Sequence, residues 1–290
     1  MRLLVIGDFH GGFPKKFEKL IDKEKIDIVL SNGDYLPFHY RDLWFKHCYG
    51  KDIELWEVIG KEKYKKLILR DLREGERVLK KLNALKIPVV TVLGNIDYPS
   101  ADDIMDDSQD VHDKKRIWKY ESERIKRFFK LIKSYKNIHR VDYSYWKFGD
   151  YIFIGARGHS NRGRVKSKAY RKHKKILEKL FRKFNKENKE GKVIFLTHNV
   201  IYKTKLDKVS KKAHKLVRGK HLGSKMFRRI IKKFQPVLHI GGHIHESRGK
   251  DKLGKTILIN PGAAHEGKAA IIEIPDFEDK RGKIKVKFIK

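Results

Sequence analysis

Five short segments of the chain carry side chains that can bind a metal ion, and each one follows an apolar stretch. Imidazole nitrogens, monodentate carboxylates and one bridging carboxylate are the mixture that two metal ions in one site need. Any one of these segments alone is typical of an ordinary turn, whereas five in succession predict a dinuclear metal site. The segments are Asp8-Phe9-His10, Asn32-Gly33-Asp34, Gly94-Asn95-Ile96-Asp97, Thr197-His198-Asn199 and Gly241-Gly242-His243-Ile244-His245.

The stretches before these segments are short and rich in β-branched residues, which predicts strands. The early strands alternate with helical patterns such as residues 17–23, and this alternation predicts an α/β fold. Ligands bind beyond the carboxyl ends of strands in such folds, so the five segments are expected to meet at one edge. The last three strands are interpreted as a hairpin-like run, in a mixed sheet or two packed sheets. The predicted strands span residues 3–6, 26–30, 89–93, 151–154, 193–197, 237–240, 257–259, 269–274 and 284–288.

Two long stretches, residues 38–86 and 98–136, interrupt this plan and are predicted to be mostly helical insertions. The second begins with an acidic cluster whose spacing lacks the glycine and terminal glutamate of a calcium loop. We therefore predict a solvated or partner-facing loop there. Neither internal repeats nor a linker is found, which predicts a single domain over residues 1–290. The acidic cluster consists of Asp102, Asp103, Asp106, Asp107 and Asp110.

The chain is strongly basic, and its charge is uneven. Its 290 residues include 70 Lys+Arg and 36 Asp+Glu, a formal net charge of +34, and residues 162–233 contribute 27 of the cations and four of the acids. This segment is either a solvated surface or an electrostatic footprint for nucleic acid or another polyanion. Four of its interleaved side chains offer faces on which bases can stack, although no nucleic-acid motif accompanies them. They are Tyr170, His173, Tyr202 and His214.

Composition excludes several other classes of protein. A hydrophobic fraction of 40% is too high for a disordered chain, and the length suffices for a sizeable core. One cysteine, Cys48, excludes an intramolecular disulfide and a multi-cysteine metal site. No apolar run approaches 18 residues, so no membrane-spanning helix is predicted. The chain opens with a strand pattern instead of a signal peptide, and we expect a cytoplasmic protein. Its abundance of Lys and Glu is similar to that of hyperthermophile proteins.

The five segments resemble the metal-binding signature of the calcineurin-like metallophosphoesterases, and Asn260-Pro261-Gly262 resembles that family's C-terminal turn. The resemblance implies a four-layer αββα sandwich of two mixed sheets. It also implies two divalent metal ions, with manganese as the first expectation and iron, zinc, nickel or cobalt as alternatives. One ion would be held by Asp8, His10, Asp34 and His245. The other would be held by Asp34, Asn95, His198 and His243, so that Asp34 bridges the pair.

The resemblance further implies that a metal-bridging hydroxide attacks phosphorus while the ions neutralise the phosphate oxygens. Because ligand histidines must be neutral, we expect activity to rise with pH through the histidine range.

The sequence departs from the family pattern at Ile96, where many members have a histidine that protonates the leaving group. Isoleucine has no proton to donate, so the loss should fall hardest on substrates with poor leaving groups. Asn95 and Asp97 remain as predicted catalytic residues. His159 and His265 are candidate replacement acids, and Arg157 is a candidate for gripping phosphate as a fork.

The leading hypothesis is a phosphodiesterase acting on a nucleotide or nucleic acid. Members that lack the histidine look like phosphodiesterases, and Asp97-Tyr98-Pro99 resembles an archaeal and bacterial branch of phosphoesterases. A phosphomonoesterase, including a protein phosphatase, is the second hypothesis. The third is a catalytically impaired, metal-containing protein that binds nucleic acid. Ile96 supports this third hypothesis, while the seven intact ligand positions oppose it.

Overall fold

The computed structural model describes residues 1–49, 51, 53–97, 130–158, 168–275 and 283–290. The acidic cluster at 102–110, His159 and the Tyr98-Pro99 pair lie outside the described residues. So does most of the predicted insertion at 98–136, of which residues 130–134 are helical.

The strands of the described residues form two mixed sheets of six. In spatial order the first sheet contains β12 (Lys285–Ile289), β11 (Ala269–Glu273), β1 (Arg2–Ile6), β2 (Ile28–Ser31), β3 (Val89–Thr91) and β4 (Ile138–Arg140). Four of these strands, β1 to β4, are parallel. Strand β11 pairs antiparallel with β1, and β12 pairs antiparallel with β11.

The second sheet has four parallel strands in its middle and an antiparallel strand at each edge. In spatial order it contains β5 (Tyr145–Phe148), β6 (Tyr151–Ala156), β7 (Val193–Asn199), β8 (Leu238–Gly242), β10 (Thr256–Asn260) and β9 (Gly249–Leu253).

Helices lie between the strands, and three of them occupy the predicted insertion at 38–86. The last helix begins at Ser224, whose hydroxyl accepts the N–H of Phe227 at 3.2 Å and so caps it. The helices are α1 (Lys16–Lys23), α2 (Arg41–His47), α3 (Leu55–Ile59), α4 (Lys61–Asn83), α5 (Lys168–Lys183), α6 (Asn185–Lys189) and α7 (Lys225–Phe234). No helix of the described residues is long and apolar enough to cross a membrane.

Strand alternation produces four layers. In β1, Leu3 and Val5 belong to the apolar cluster shared by the two sheets, while Leu4 and Ile6 pack with α1 and α4. In β7, the residues of one face, such as Phe195, pack with α5 and α7. Because side chains alternate between the faces of a strand, each sheet buries one face on the other sheet and one on helices. The predicted αββα sandwich is confirmed.

All nine predicted strands are present, but only the last two of the final three form the predicted hairpin-like run. Strand β10 pairs parallel with β8 inside the second sheet, whereas β11 and β12 cross to the first sheet and pair there as antiparallel neighbours. The apolar run of β10 is the reason, since Leu258 and Ile259 are fully buried on opposite faces of the sheet and need neighbours on both sides.

Candidate metal centre

The predicted ligands lie at the carboxyl ends of strands from both sheets. Hydrogen bonds hold these loops together: the N–H of Asp8 donates to Gly33 O at 2.8 Å, and the N–H of His10 donates to Asp34 O at 3.0 Å. The link between the sheets is the N–H of His243, which donates to Asp8 Oδ2 at 3.1 Å. The five sequence segments therefore meet at one edge of the sandwich.

Four predicted ligands adopt a left-handed backbone conformation that non-glycine residues rarely occupy. The φ angles are 54° for Asp8, 42° for His10, 56° for Asp34 and 70° for His243. Such conformations cost free energy and cluster at functional sites, where the surrounding structure enforces them. Here the hydrogen bonds between the loops supply that enforcement.

A first cluster of ligand atoms comes from Asp8, His10 and His245, and these atoms lie within 4.8 Å of one another. His245 Nε2 is 3.2 Å from His10 Nε2 and 3.3 Å from Asp8 Oδ1. Burial and the neighbouring His245 lower the pKa of His10 to about 3, so its ring is neutral. Burial also disfavours the charged form of His245, but the Asp8 carboxylate outweighs it, and the pKa of His245 is raised.

A second cluster comes from Asp34, His198 and His243, again with ligand atoms within 4.8 Å of one another. His198 Nε2 is 3.2 Å from His243 Nδ1 and 3.5 Å from Asp34 Oδ2. The predicted ligand Asn95 places Oδ1 2.7 Å from the same nitrogen. Burial, followed by the charge of Asp8, raises the pKa of Asp34 well above its usual range.

The atoms of the second cluster fit a bound cation. His198 Nδ1 is 2.8 Å from Asn32 O, and because a carbonyl can only accept, Nδ1 carries the proton. Burial lowers the pKa of His198, so the ring is neutral and Nε2 presents a lone pair. That lone pair faces Asn95 Oδ1 at 2.7 Å, which is also an acceptor. A divalent ion is the partner that such converging lone pairs require.

The structure places the predicted catalytic residue Asp97 among backbone N–H groups of two loops. Its carboxylate is fully buried and accepts four backbone N–H groups. The donors are Asp34 (2.8 Å), Gly94 (2.8 Å), Tyr35 (2.8 Å) and Leu36 (3.3 Å). Burial and the nearby Asp34 raise the pKa of Asp97 to about 7. These bonds tie the loop after β2 to the loop after β3, and a catalytic role for Asp97 stays a prediction.

Comparison with known proteins identifies the family. The model of the calcineurin-like phosphoesterases matches residues 1–247. The chain belongs to the calcineurin-like phosphoesterase family. A 107-residue stretch is 36% identical to an uncharacterized protein of Methanocaldococcus jannaschii, covering 34% of this chain and 47% of that relative. The match therefore spans about half of the length of that relative.

Solved structures share the fold. One has a TM-score of 0.66 at 20% identity, covering 99% of this chain and 98% of its own. A dimetal phosphatase from Danio rerio has a TM-score of 0.56 at 10% identity, with 99% and 95% covered. The Thermus thermophilus protein TT1561 has a TM-score of 0.52 at 16% identity, with 99% and 97% covered. At these identities the likeness shows the fold.

Within this member of the calcineurin-like phosphoesterases, Ile96 lies between the two loops that Asp97 joins. Its N–H donates to Asp34 Oδ1 at 3.1 Å, and its side chain packs against the apolar cluster of the first sheet. The backbone of this residue therefore helps to position Asp34, while its side chain has no group that can transfer a proton.

Of the two candidate replacement acids, the structure describes His265, and it also describes Arg157. His265 lies at the first cluster: Nδ1 is 2.9 Å from Asp8 O, and its ring centroid is 5.0 Å from that of His10. His159 lies outside the described residues. Arg157 is 1% exposed and places its guanidinium 5.8 Å from the Tyr143 ring centroid. Little of its side chain is exposed to solvent, and its role as a fork for phosphate stays a prediction.

Two supporting residues were missed in the sequence. The carbonyl of Asn32 orients His198, and a backbone contact of this kind leaves no signal in residue type. Gly158 donates its N–H to Leu93 O at 2.6 Å and packs so closely that a Cβ would lie 2.5 Å from Asn95 N. The sequence signal for this close approach was Gly158 itself, which directly follows the predicted Arg157.

Proposed function

We propose that the protein is a dinuclear-metal phosphodiesterase whose substrate is a nucleotide or nucleic acid. The observation that carries the proposal is the meeting of two ligand clusters at the sandwich edge, each combining side chains from both sheets, with Asp34 in the second and close to the first. His198 Nε2 is 3.5 Å from Asp34 Oδ2, and the charge of Asp8 acts on Asp34. A carboxylate so placed is suited to bridge two ions.

The proposed ligands are those of the two clusters, with manganese as the first candidate metal. When bound, the two ions supply Lewis-acid activation of a water molecule and neutralise the charge of phosphate oxygens. One ion is assigned to Asp8, His10, Asp34 and His245, and the other to Asp34, Asn95, His198 and His243.

The chain's own residues prepare this site in three ways. Neutral His10 and His198 present lone pairs, and the Asn32 carbonyl fixes the orientation of the second ring. Asp97 holds the loops that carry Asp34 and Asn95. These contacts orient the ligands before a substrate binds, which lowers the cost of reaching the reactive geometry.

The preference for a diester rests on Ile96. Without an acid at this position, the leaving group departs without a proton from this loop, so good leaving groups are favoured in any phosphate ester. The diester is preferred because some family members that lack this histidine resemble phosphodiesterases. His265 lies beside the first cluster with a side chain that is 34% exposed. It is our candidate for the proton donor that Ile96 cannot be. A metal-containing protein that binds nucleic acid without cleaving it is the second candidate, and Ile96 is the observation that favours it.

The test is turnover of bis-p-nitrophenyl phosphate and p-nitrophenyl phosphate with added Mn²⁺. We expect faster turnover of the diester by the wild type, and a loss of three orders of magnitude or more in Asp34→Asn and His243→Ala. A loss of about 4 kcal/mol of charge stabilisation corresponds to that factor. Asp22→Asn and His47→Ala, which lie on helices away from the clusters, are matched controls and should retain activity.

A wild type that binds Mn²⁺, Ni²⁺, Co²⁺ and Zn²⁺ but hydrolyses neither substrate would contradict the proposal. It would favour the binding protein instead. Faster turnover of the monoester would favour a phosphomonoesterase.

A further inference from the structure

A basic cleft lies beside the candidate metal centre, in the segment that follows β7. Its volume is about 680 Å³. Four of its lining residues are basic or can become so, and one is acidic. The lining consists of Lys203, Thr204, Lys205, Lys208, His221 and Asp251.

The three lysines of this cleft keep their charge available. Within the described part of the chain, no carboxylate forms an ion pair with the ammonium group of Lys203, Lys205 or Lys208. The one acidic lining residue, Asp251, accepts the backbone N–H of Lys205 at 2.8 Å and of Lys252 at 2.9 Å, and the three lysines outnumber its single negative charge. The cleft therefore presents positive charge to solvent.

A buried carboxylate holds the shape of the cleft. Asp207 is fully buried and accepts the backbone N–H groups of Lys203 at 2.9 Å, Thr204 at 3.0 Å and Gly223 at 3.2 Å. His221 Nδ1 lies 2.7 Å from the same carboxylate. Because these four groups all contact the one buried carboxylate, the loop that carries the lysines is held in a fixed shape.

The cleft adjoins the metal centre through side-chain contacts. Ser247 Oγ donates to Lys208 O at 2.6 Å, and the N–H of Ser210 donates to Glu246 Oε1 at 2.8 Å. Glu246 and Ser247 directly follow the predicted ligand His245. The loop that carries Lys208 is therefore hydrogen-bonded to the segment that directly follows a predicted ligand.

An aromatic ring lies at the same place. Tyr202 is half-buried, and its ring centroid is 5.0 Å from Lys225 Nζ and 5.9 Å from Lys203 Nζ. Its ring is 6.3 Å from that of His221. Lysines along a groove together with an aromatic face are the combination that binds single-stranded nucleic acids, because phosphates pair with the cations and bases stack on the ring.

We propose that this cleft binds the phosphate backbone of a single-stranded nucleic acid whose scissile phosphate lies at the metal centre. The inference rests on the proposed function for the identity of the cleaved bond. It assigns the binding of neighbouring phosphates to Lys203, Lys205 and Lys208, and the stacking of a base to Tyr202.

The test compares two triple variants that each remove three positive charges. The first is Lys203→Asn, Lys205→Gln and Lys208→Gln; asparagine is chosen at 203 because φ is 55° there. The matched control is Lys172→Gln, Lys175→Gln and Lys179→Gln on exposed positions of α5. Binding of a fluorescein-labelled phosphorothioate (dT)12 to the manganese-loaded proteins is measured across a salt series.

We expect the cleft variant to reduce the slope of log affinity against log salt by about 2, because each single-strand phosphate contact contributes about 0.7. At 0.1 M salt this corresponds to a loss of about 100-fold in affinity. The α5 variant should lose far less. Equal losses in both variants, or competition by poly-glutamate as effective as that by unlabelled (dT)12, would overturn the inference in favour of diffuse attraction.

Substitution of Tyr202 tests the stacking step. Tyr202→Leu should weaken binding of (dT)12 by about tenfold, since stacking contributes about 1–3 kcal/mol per base, and Tyr202→Phe should restore it. An equal effect of both substitutions would contradict stacking.

Turnover of bis-p-nitrophenyl phosphate by the wild type separates this inference from the proposed function. If the wild type turns over and the two triple variants bind (dT)12 alike, the cleft assignment fails and the phosphodiesterase stands. If the wild type is inert and only the cleft variant loses binding, the phosphodiesterase fails and the cleft remains a nucleic-acid site.

Discussion

At the scale of single residues, the candidate centre brings together carboxylates and imidazoles that shift one another's pKa values. Asp8 and Asp34 are both fully or nearly fully buried, and the charge of Asp8 helps to raise the pKa of Asp34. His245 is protonated more readily than an ordinary histidine because of Asp8. A bound cation would therefore compete with protons for Asp34 and His245.

This linkage predicts that metal binding releases protons. Asp34 and His245 have raised pKa values, so they hold protons in the metal-free protein that a metal must displace. Apparent Mn²⁺ affinity should therefore increase as pH rises through and above 6.5, the usual pKa of histidine. Calorimetric titration in buffers of different ionisation enthalpy measures the protons released. Binding without proton release between pH 5.5 and 7.5 would contradict the linkage.

Asp97 gives a second prediction at this scale. Asp97→Asn replaces one carboxylate oxygen by an NH₂ group, which would then face backbone N–H groups of the loops that carry Asp34 and Asn95. Leaving buried donors unsatisfied costs about 1–3 kcal/mol. Misplaced ligands should also weaken Mn²⁺ binding about 10–100-fold. Urea unfolding of the metal-free protein and a Mn²⁺ titration measure the two effects, with Asp22→Asn as the control that should change neither.

Residue types made the ligands predictable from the sequence, because histidines and carboxylates at strand ends have a recognisable spacing. The contacts of Asp97 were not predictable in the same way. Its neighbour Ile96 removes the proton donor expected beside it, but only the folded loops show that the Asp97 carboxylate accepts four N–H groups. Likewise, burial of Arg157 depends on packing between elements distant in sequence.

At the scale of elements, the loops after β3 and β6 pack directly on each other next to the second cluster. Gly158 follows β6, and a Cβ at this position would lie 2.5 Å from Asn95 N and 2.7 Å from His198 Cδ2. The loop of the second sheet therefore supports a predicted ligand carried by the first sheet.

The close approach predicts that Gly158→Ala disturbs the second cluster. Since the added methyl would collide with backbone and with the His198 ring, we expect a loss of about 1–3 kcal/mol in stability and weaker metal binding. Gly12→Ala is the milder comparison, because its Cβ would meet His265 Cβ at 3.3 Å, which a shift of a few tenths of an ångström relieves. Chemical denaturation and Mn²⁺ titration compare the two variants. Similar behaviour of both would show that the loops can separate without cost.

Elements with continuous β-branched runs were predictable, and so was the exposed edge strand β12, whereas the edge strands β4, β5 and β9 were not predicted. Strand β5 and strand β9 lie at the two edges of the second sheet and are largely half-buried or exposed, so their sequences lack an apolar run. Strand β4 is only three residues long and has one buried residue. The pairing of strands was harder to predict than their positions in the sequence. Strand β11 joins the first sheet through its register with β1, in which Leu3 lies opposite Ile272.

At the scale of the whole molecule, the candidate centre lies where the two sheets meet, and each sheet contributes ligands to it. Asp8, His10, Asp34 and Asn95 belong to loops of the first sheet, while His198, His243 and His245 belong to the second. Direct contact between the sheets at this edge includes the hydrogen bond from His243 N–H to Asp8. Ions held by both sides would therefore oppose the separation of the sheets.

This arrangement predicts that metal stabilises the whole fold instead of one loop. A ligand that binds only the folded state at 100 times its dissociation constant adds about 2.7 kcal/mol, which is about 5–10 °C in Tm for a chain of this size. Addition of Mn²⁺ to metal-free wild type should give a single transition shifted by this amount. Asp34→Asn, placed to weaken both ligand sets at once, should lose most of the shift. A shift confined to one of two separate transitions would mean that the ions stabilise one sheet, and that the ligands from the two sides act independently.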